Sequence, residues 1–346
     1  MIDYPQLPFS RLIQSLKAVG LAGVCALLIG WIGQPVTAQV TATPVPVIPR
    51  PTLVPRVTLT PRATLTLLSG TPTRTAAPTT PPPEVTIRFE STTIRQGQVG
   101  IVSATGRDLI SGNVRVFDRN YPCYPTTTGV ACLIAVPITQ PIQTYSALAR
   151  IQRSDGQTFE RNSPLTAGNG GFATEIFTLP ASLNYLLRDD VQANEDDRLL
   201  SAYNMITPNR YWEGSFVQPI NSPVVSAFGV IRNYTNNGAT RRHTGVDLVA
   251  SMGTPVLAAA SGRVALSRPM DIHGNNVVID HGWGVYTEYA HLSDRYVLPG
   301  QLVLQGDVLG LSGNTGRSTG PHLHWEVAVA GVWVNPVLFL QVKLPQ

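Results

Sequence analysis

Residues Asn275–Ser293 read "NNVVIDHGWGVYTEYAHLS", two short β-type runs on either side of a Gly-Trp-Gly turn. Val, Ile, Thr and Tyr favour the pleated, half-buried setting of a strand, and Gly and Asp punctuate it. The pattern continues in both directions, through "TPVLAAASGRVALS" from Thr254, "QLVLQGDVLGLSG" from Gln301 and "HLHWEVAVAGVWVNP" from His322. From about Trp212 to Leu340 the expectation is an all-β domain with tight turns and hardly any helix.

A second β-region is expected upstream. "EVTIRFESTTIRQGQVGIVSATG", from Glu84, alternates apolar and polar residues and breaks at glycines. "NVRVFD", "CLIAVPI", "TYSALARIQRS" and "GFATEIFTL" continue the pattern at short spacing, which suggests a small β-sandwich over 85–180. Its loops carry no constellation of titratable groups, so a spacer or binding role outweighs catalysis. "LNYLLRDDVQANEDDRLLSAYNMI" then has leucines at helical spacing and an acidic cluster from Asp189 to Asp197. A calcium loop would need a glycine and alternating oxygen ligands. The cluster is therefore read as the solvated face of a helical connector over 181–214.

The N-terminus is of another kind. Arg11 and Lys17 precede an uncharged apolar run from Ala18 to Gly33, followed by the small-residue site Val36-Thr37-Ala38. Residues 1–38 are expected to be a secretory signal or an uncleaved membrane anchor, and either places the rest outside the cytoplasm. Residues 39–84 are rich in Pro and Thr, lack a sustained period, and are expected to be a disordered, extended linker. Cys123 and Cys132 bracket the loop "YPTTTGVA" and are expected to form a disulfide in an oxidising compartment. The whole chain carries +4, yet residues 1–83 alone carry +5, leaving −1 for the remainder. The folded part has no basic patch, so nucleic acid is not implied.

All six histidines fall in the last β-region: His243, His273, His281, His291, His322 and His324. Zinc hydrolysis requires three protein ligands from His and carboxylate, a position open to water, and a group able to take that water's proton. His322 and His324 stand at i and i+2 of a strand, so they share a face and one site. His243 and Asp247 are four residues apart on a glycine-containing stretch, weak evidence taken alone. His273 and His281 are read as structural or solvent-facing. Tyr289 and Trp325 fit the lining of a groove or the packing of a core equally well. The HExxH pattern is absent.

"RRHTGVDLVASMGTPVLAAASGRV", "VVIDHGWGVYTEYAHLS" and "LVLQGDVLGLSGNTGRSTGPHLHWEV" follow the order and spacing of the lysostaphin-type peptidoglycan metallopeptidases, which residues 215–341 resemble. The resemblance implies a small antiparallel β-sheet domain of the duplicated hybrid motif type holding one zinc. It implies His243, Asp247 and His324 as zinc ligands, with His291 and His322 as the unligated catalytic pair beside the metal-bound water. Tyr289 is a candidate substrate-binding residue. Position before such a domain also gives the region 85–180 a resemblance to immunoglobulin-like modules. The expected function is an exported zinc metalloendopeptidase cutting peptide cross-links or stem peptides of bacterial peptidoglycan, secreted or wall-associated, with the membrane met only through the N-terminal segment. The alternative is a non-catalytic wall-binding or amidase-activating protein on the same fold.

Overall fold

A computed structural model describes residues 85–203 and 207–345. The signal or anchor expected over 1–38 and the linker expected over 39–84 lie outside the described residues. Among those described, no helix is long and apolar enough to cross a membrane.

Eight strands between Thr86 and Gly168 form the first sheet. Thr86–Phe89 pairs antiparallel with Val99–Thr105, whereas Thr93–Arg95 pairs parallel with Thr158–Gly168. These two short strands are neighbours in sequence yet end the sheet on opposite sides, so the sheet curls back toward itself. The pairing path runs unbroken through all eight strands. The region is all-β as expected, with one continuous pairing path where an immunoglobulin-like sandwich would have two separate sheets. Cys123 and Cys132 are direct cross-strand partners and are joined by a disulfide.

The last strand of the upstream β-pattern departs from expectation. Thr174–Phe177 leaves the first sheet and pairs parallel with Ile231–Tyr234, which in turn pairs with Thr240–Arg242. A 3-10 helix (Ala181–Leu187) and a connector helix (Asp189–Tyr203) follow. Leu199 and Tyr203 of the connector helix are buried, and so is Glu195 at 1% exposure. The acidic cluster is therefore not wholly solvated.

Ten strands form the second, antiparallel sheet, as its hairpin-rich sequence requires. The strand His322–Val329 lies at its centre, between Val246–Val249 and Val285–Arg295. Leu323, Trp325 and Val327 are fully buried in the core; by alternation, His322, His324 and Glu326 share the opposite face. Tyr124 of the first sheet stacks on Trp283 of the second at 5.3 Å between ring centroids, a contact contributing about 0.5–1.5 kcal/mol beyond burial. The Asn335 amide donates to the Gly97 carbonyl at 2.7 Å. The Asn335 side chain also caps the short helix Pro336–Phe339, whose first residue is a proline suited to that position.

His281 is a structural residue of this core. Its Nδ1–H donates to the Ser261 carbonyl at 2.9 Å, and its Nε2 accepts from the Thr287 hydroxyl at 2.7 Å. Burial pushes its pKa down from 6.5 to about 4. Between those values the unfolded chain binds the extra proton and the folded chain does not. Stability on the order of 3 kcal/mol is thus present above pH 6.5 and lost as pH falls toward 4. Thermal unfolding of the wild type across this window is expected to be steeper in pH than that of His281→Gln; equal slopes would contradict the assignment.

Candidate metal centre

The register of two strands builds the centre. Asp247 and His324 are direct partners across the antiparallel pair Val246–Val249 and His322–Val329. His243 enters from the turn just before this pair. Its Nε2 lies 3.0 Å from Asp247 Oδ1 and 3.0 Å from His324 Nδ1, and His324 Nδ1 lies 2.8 Å from Asp247 Oδ1. All three side chains are buried.

Their outer contacts decide which atoms are left to bind something. His243 Nδ1–H donates to the Ala227 carbonyl at 2.8 Å, which leaves Nε2 as a lone pair. His324 Nε2–H donates to Glu326 Oε1 at 2.9 Å, which leaves Nδ1 as a lone pair. Arg232 donates to the second oxygen of Asp247 and to Ser226 Oγ. Three acceptors therefore converge with their own protons used elsewhere, an arrangement that a cation resolves. Zinc bonds of about 2.0–2.1 Å in a tetrahedron need donor atoms about 3.3 Å apart. The separations of 2.8–3.0 Å need only a few tenths of an ångström of opening. Two imidazoles and one carboxylate fit zinc.

The electrostatics agree. Burial, only partly offset by Asp247, pushes His243 down to about 4, so it is neutral at physiological pH. Burial opposes charge on Asp247 as well, but His243 and His324 hold its carboxyl well below the usual range. At His324 burial is outweighed by Asp247 and Glu326, which raise its pKa. The pocket thus favours positive charge where the three donors meet.

His291 and His322 flank this point, their ring centroids 4.8 Å apart. His322 Nδ1–H donates to the Gly320 carbonyl at 2.8 Å, and its Nε2 lies 3.6 Å from Asp247 Oδ1. His291 Nδ1–H donates to the Thr315 carbonyl at 2.7 Å. Regular alternation would send the His291 ring to the core face of Tyr289. Its φ of 60° breaks the alternation and returns the ring to the face of His324, at a backbone cost of order 1–3 kcal/mol. Gly274 and Gly316, both at positive φ, let the 272–274 turn and the 313–320 loop meet there; a Cβ on either would collide with Thr315 or with the Ile272 carbonyl. Burial holds both His291 and His322 below the ordinary imidazole range. Beside Asp247 and His322 runs a cleft of about 410 Å³, bordered by Phe177, Arg232 and the Ser318–Pro321 loop.

Five of the residues singled out from sequence come together: His243, Asp247, His291, His322 and His324. Tyr289 does not join them. It is fully buried, and its hydroxyl accepts from the Ala259 amide at 2.8 Å, so of the two settings expected for it, groove or core, it takes the core. Trp325 is core as well. Sequence reasoning missed Glu326, although the spacing that pairs His322 with His324 also puts Glu326 on that face. It missed Arg232, for which no sequence signal exists. Of the two settings expected for His273, structural or solvent-facing, the solvent-facing one does not hold: it is buried beside Glu326 and Glu195.

Residues 241–336 match the family model of peptidase family M23. Over 123 residues the chain is 43% identical to the peptidoglycan DD-endopeptidase ShyC of Vibrio cholerae, a match covering 36% of this chain and 28% of that protein. Over 105 residues it is 50% identical to the DD-carboxypeptidase/endopeptidase Mpg of Neisseria meningitidis, covering 30% of this chain and 24% of that protein. The chain thus spans less than a third of the length of these curated relatives. A crystal structure from Pseudomonas aeruginosa assigned to peptidase M23 superposes with a TM-score of 0.53 at 23% identity, covering 71% of this chain and 93% of that one. That likeness concerns the fold.

Proposed function

We propose that the chain, whose residues 241–336 match the model of peptidase family M23, is an extracytoplasmic zinc metalloendopeptidase hydrolysing peptide cross-links or stem peptides of bacterial peptidoglycan. The observation that carries this reading is the convergence of His243 Nε2, Asp247 Oδ1 and His324 Nδ1, with two neutral histidines beside them. The names of the matched relatives support the substrate class. A non-catalytic wall-binding or amidase-activating protein would leave these five side chains without a task.

His243, Asp247 and His324 would hold the zinc, which when bound supplies a Lewis acid for the scissile carbonyl and for a water. Arg232 keeps the carboxylate of Asp247 in place, and Glu326 fixes the His324 tautomer. His291 and His322 both spend Nδ1–H on backbone carbonyls, so each presents Nε2 as an acceptor. Such a group donates only after it has taken a proton. The histidine that accepts the proton of the attacking water is therefore the one able to pass it to the leaving amine. We assign that role to His322, with His291 beside it as a second proton acceptor.

The test is digestion of purified peptidoglycan by the full chain, scored by new free amino groups. Release is expected to stop with a zinc chelator and to return with added Zn2+. Release that continues in chelator, or no release by the zinc-loaded chain, would overturn the reading.

A further inference from the structure

Beyond Glu326, which holds His324, runs a buried chain of polar groups, among them Glu195, His273 and Glu288, that the proposed chemistry does not use. It begins at Glu195 in the connector helix. Glu195 Oε1 accepts from the His273 amide at 2.7 Å and from His273 Nδ1–H at 2.6 Å, while Oε2 accepts from the Ile272 amide at 2.8 Å. The other side of the His273 ring faces acid: Nε2 is 3.7 Å from Glu326 Oε1 and 3.8 Å from Glu288 Oε1. Glu326 Oε1 is the atom that holds His324. Glu195, Glu288 and Glu326 are each no more than 1% exposed, and His273 is 7% exposed.

A second route runs through the backbone. The Ile272 and His273 carbonyls accept from the Arg317 and His291 amides, both at 2.8 Å. Thr315, whose carbonyl orients His291, donates its hydroxyl to the Leu292 carbonyl and accepts from the Asn275 amide. The turn that Glu195 clamps is thus bonded to His291 on one side and to the 313–320 loop on the other.

Stability alone does not account for this cluster. Ionised groups lose several kcal/mol of hydration on burial, and well-packed apolar residues of similar volume commonly do as well or better. Outer partners of metal ligands, by contrast, set ligand tautomer and orientation, and their loss typically costs about 10–100-fold in metal affinity. We propose that Glu195 is a positioning residue of the metal centre, acting through His273 and Glu326 on His324, so that the connector helix is part of the working site and not only a tether. This rests on the zinc reading above, but not on which bond is cleaved.

The experiment measures zinc dissociation constants of the full chain by competition with a chromophoric chelator. Four forms are compared: wild type, Glu195→Gln, Glu326→Gln and the double variant. Glu195→Gln is expected to weaken zinc about tenfold. In the Glu326→Gln background the same substitution is expected to change affinity less than twofold, because its route to His324 is already cut. A purely structural brace would lower the melting temperature of the zinc-free chain while leaving zinc affinity within twofold. That result, or losses that multiply in the double variant, would overturn the proposal. Should Glu195→Gln fail to fold, His273→Gln keeps both backbone bonds of Glu195 and must weaken zinc by the same route; unchanged affinity would overturn the proposal equally. A wild type that binds no zinc would remove the proposed function and this assignment together. Tight wild-type binding untouched by these substitutions would remove this assignment alone.

Discussion

Asp247→Ala is expected to abolish zinc retention and peptide hydrolysis together. Asp247 supplies the only anionic donor of the three, and its Oδ1 lies within 3.0 Å of both ligand nitrogens. Without it two neutral imidazoles remain, and Arg232, now unpaired, brings an uncompensated positive charge to the pocket. Both changes oppose a divalent cation. The loss of affinity is expected to exceed the roughly 10–100-fold typical of losing an outer partner. Activity should fall to background even with zinc in excess. Metal analysis after gel filtration reads the first effect and product release the second. A variant that still retained one equivalent of zinc would show that Asp247 is not a ligand.

His322→Ala is expected to give the opposite pairing: zinc kept, turnover lost. Its Nε2 stands 3.6 Å from Asp247 Oδ1, beside the donors and not among them. Removing a general base usually costs about 10²–10⁴-fold in rate, and the loss should appear in kcat more than in KM. The pH profile is a second readout. Burial lowers the pKa of His322, so the neutral, proton-accepting form persists below the ordinary imidazole range and disappears as pH falls further. The acidic limb of kcat/KM in the wild type is therefore expected below that of a free imidazole. Retained turnover in His322→Ala would contradict the role assigned to it, and loss of zinc would show that it is a ligand.

What the sequence reveals of this molecule follows from periodicity. The strand pair that carries Asp247 and His324 is legible because turn residues and β-type runs alternate at short intervals, and i, i+2 spacing puts His322 and His324 on one face. Contacts that depend on long-range register are not legible. Arg232 reaches Asp247 only because Ile231–Tyr234 lies between Thr174–Phe177 and Thr240–Arg242, a pairing that joins residues far apart in the chain. His291 lies on the site side only through a left-handed backbone that no composition announces. Glu195 sits inside an acidic run that hides it, although it is four residues before buried Leu199 and eight before buried Tyr203, on the same helical face. Tyr289 shows the converse: a residue within a recognisable motif that the packing of Trp325 and Thr287 keeps inside the core.

Mass spectrometry of the soluble products from purified peptidoglycan, treated with the zinc-loaded full chain, tests the central claim most directly. Peptide fragments carrying a new amino group and a new carboxyl group at one former amide bond are predicted, absent from digests with Asp247→Ala. Intact peptides, or cleavage confined to the glycan strands, from a chain that verifiably holds zinc would contradict it.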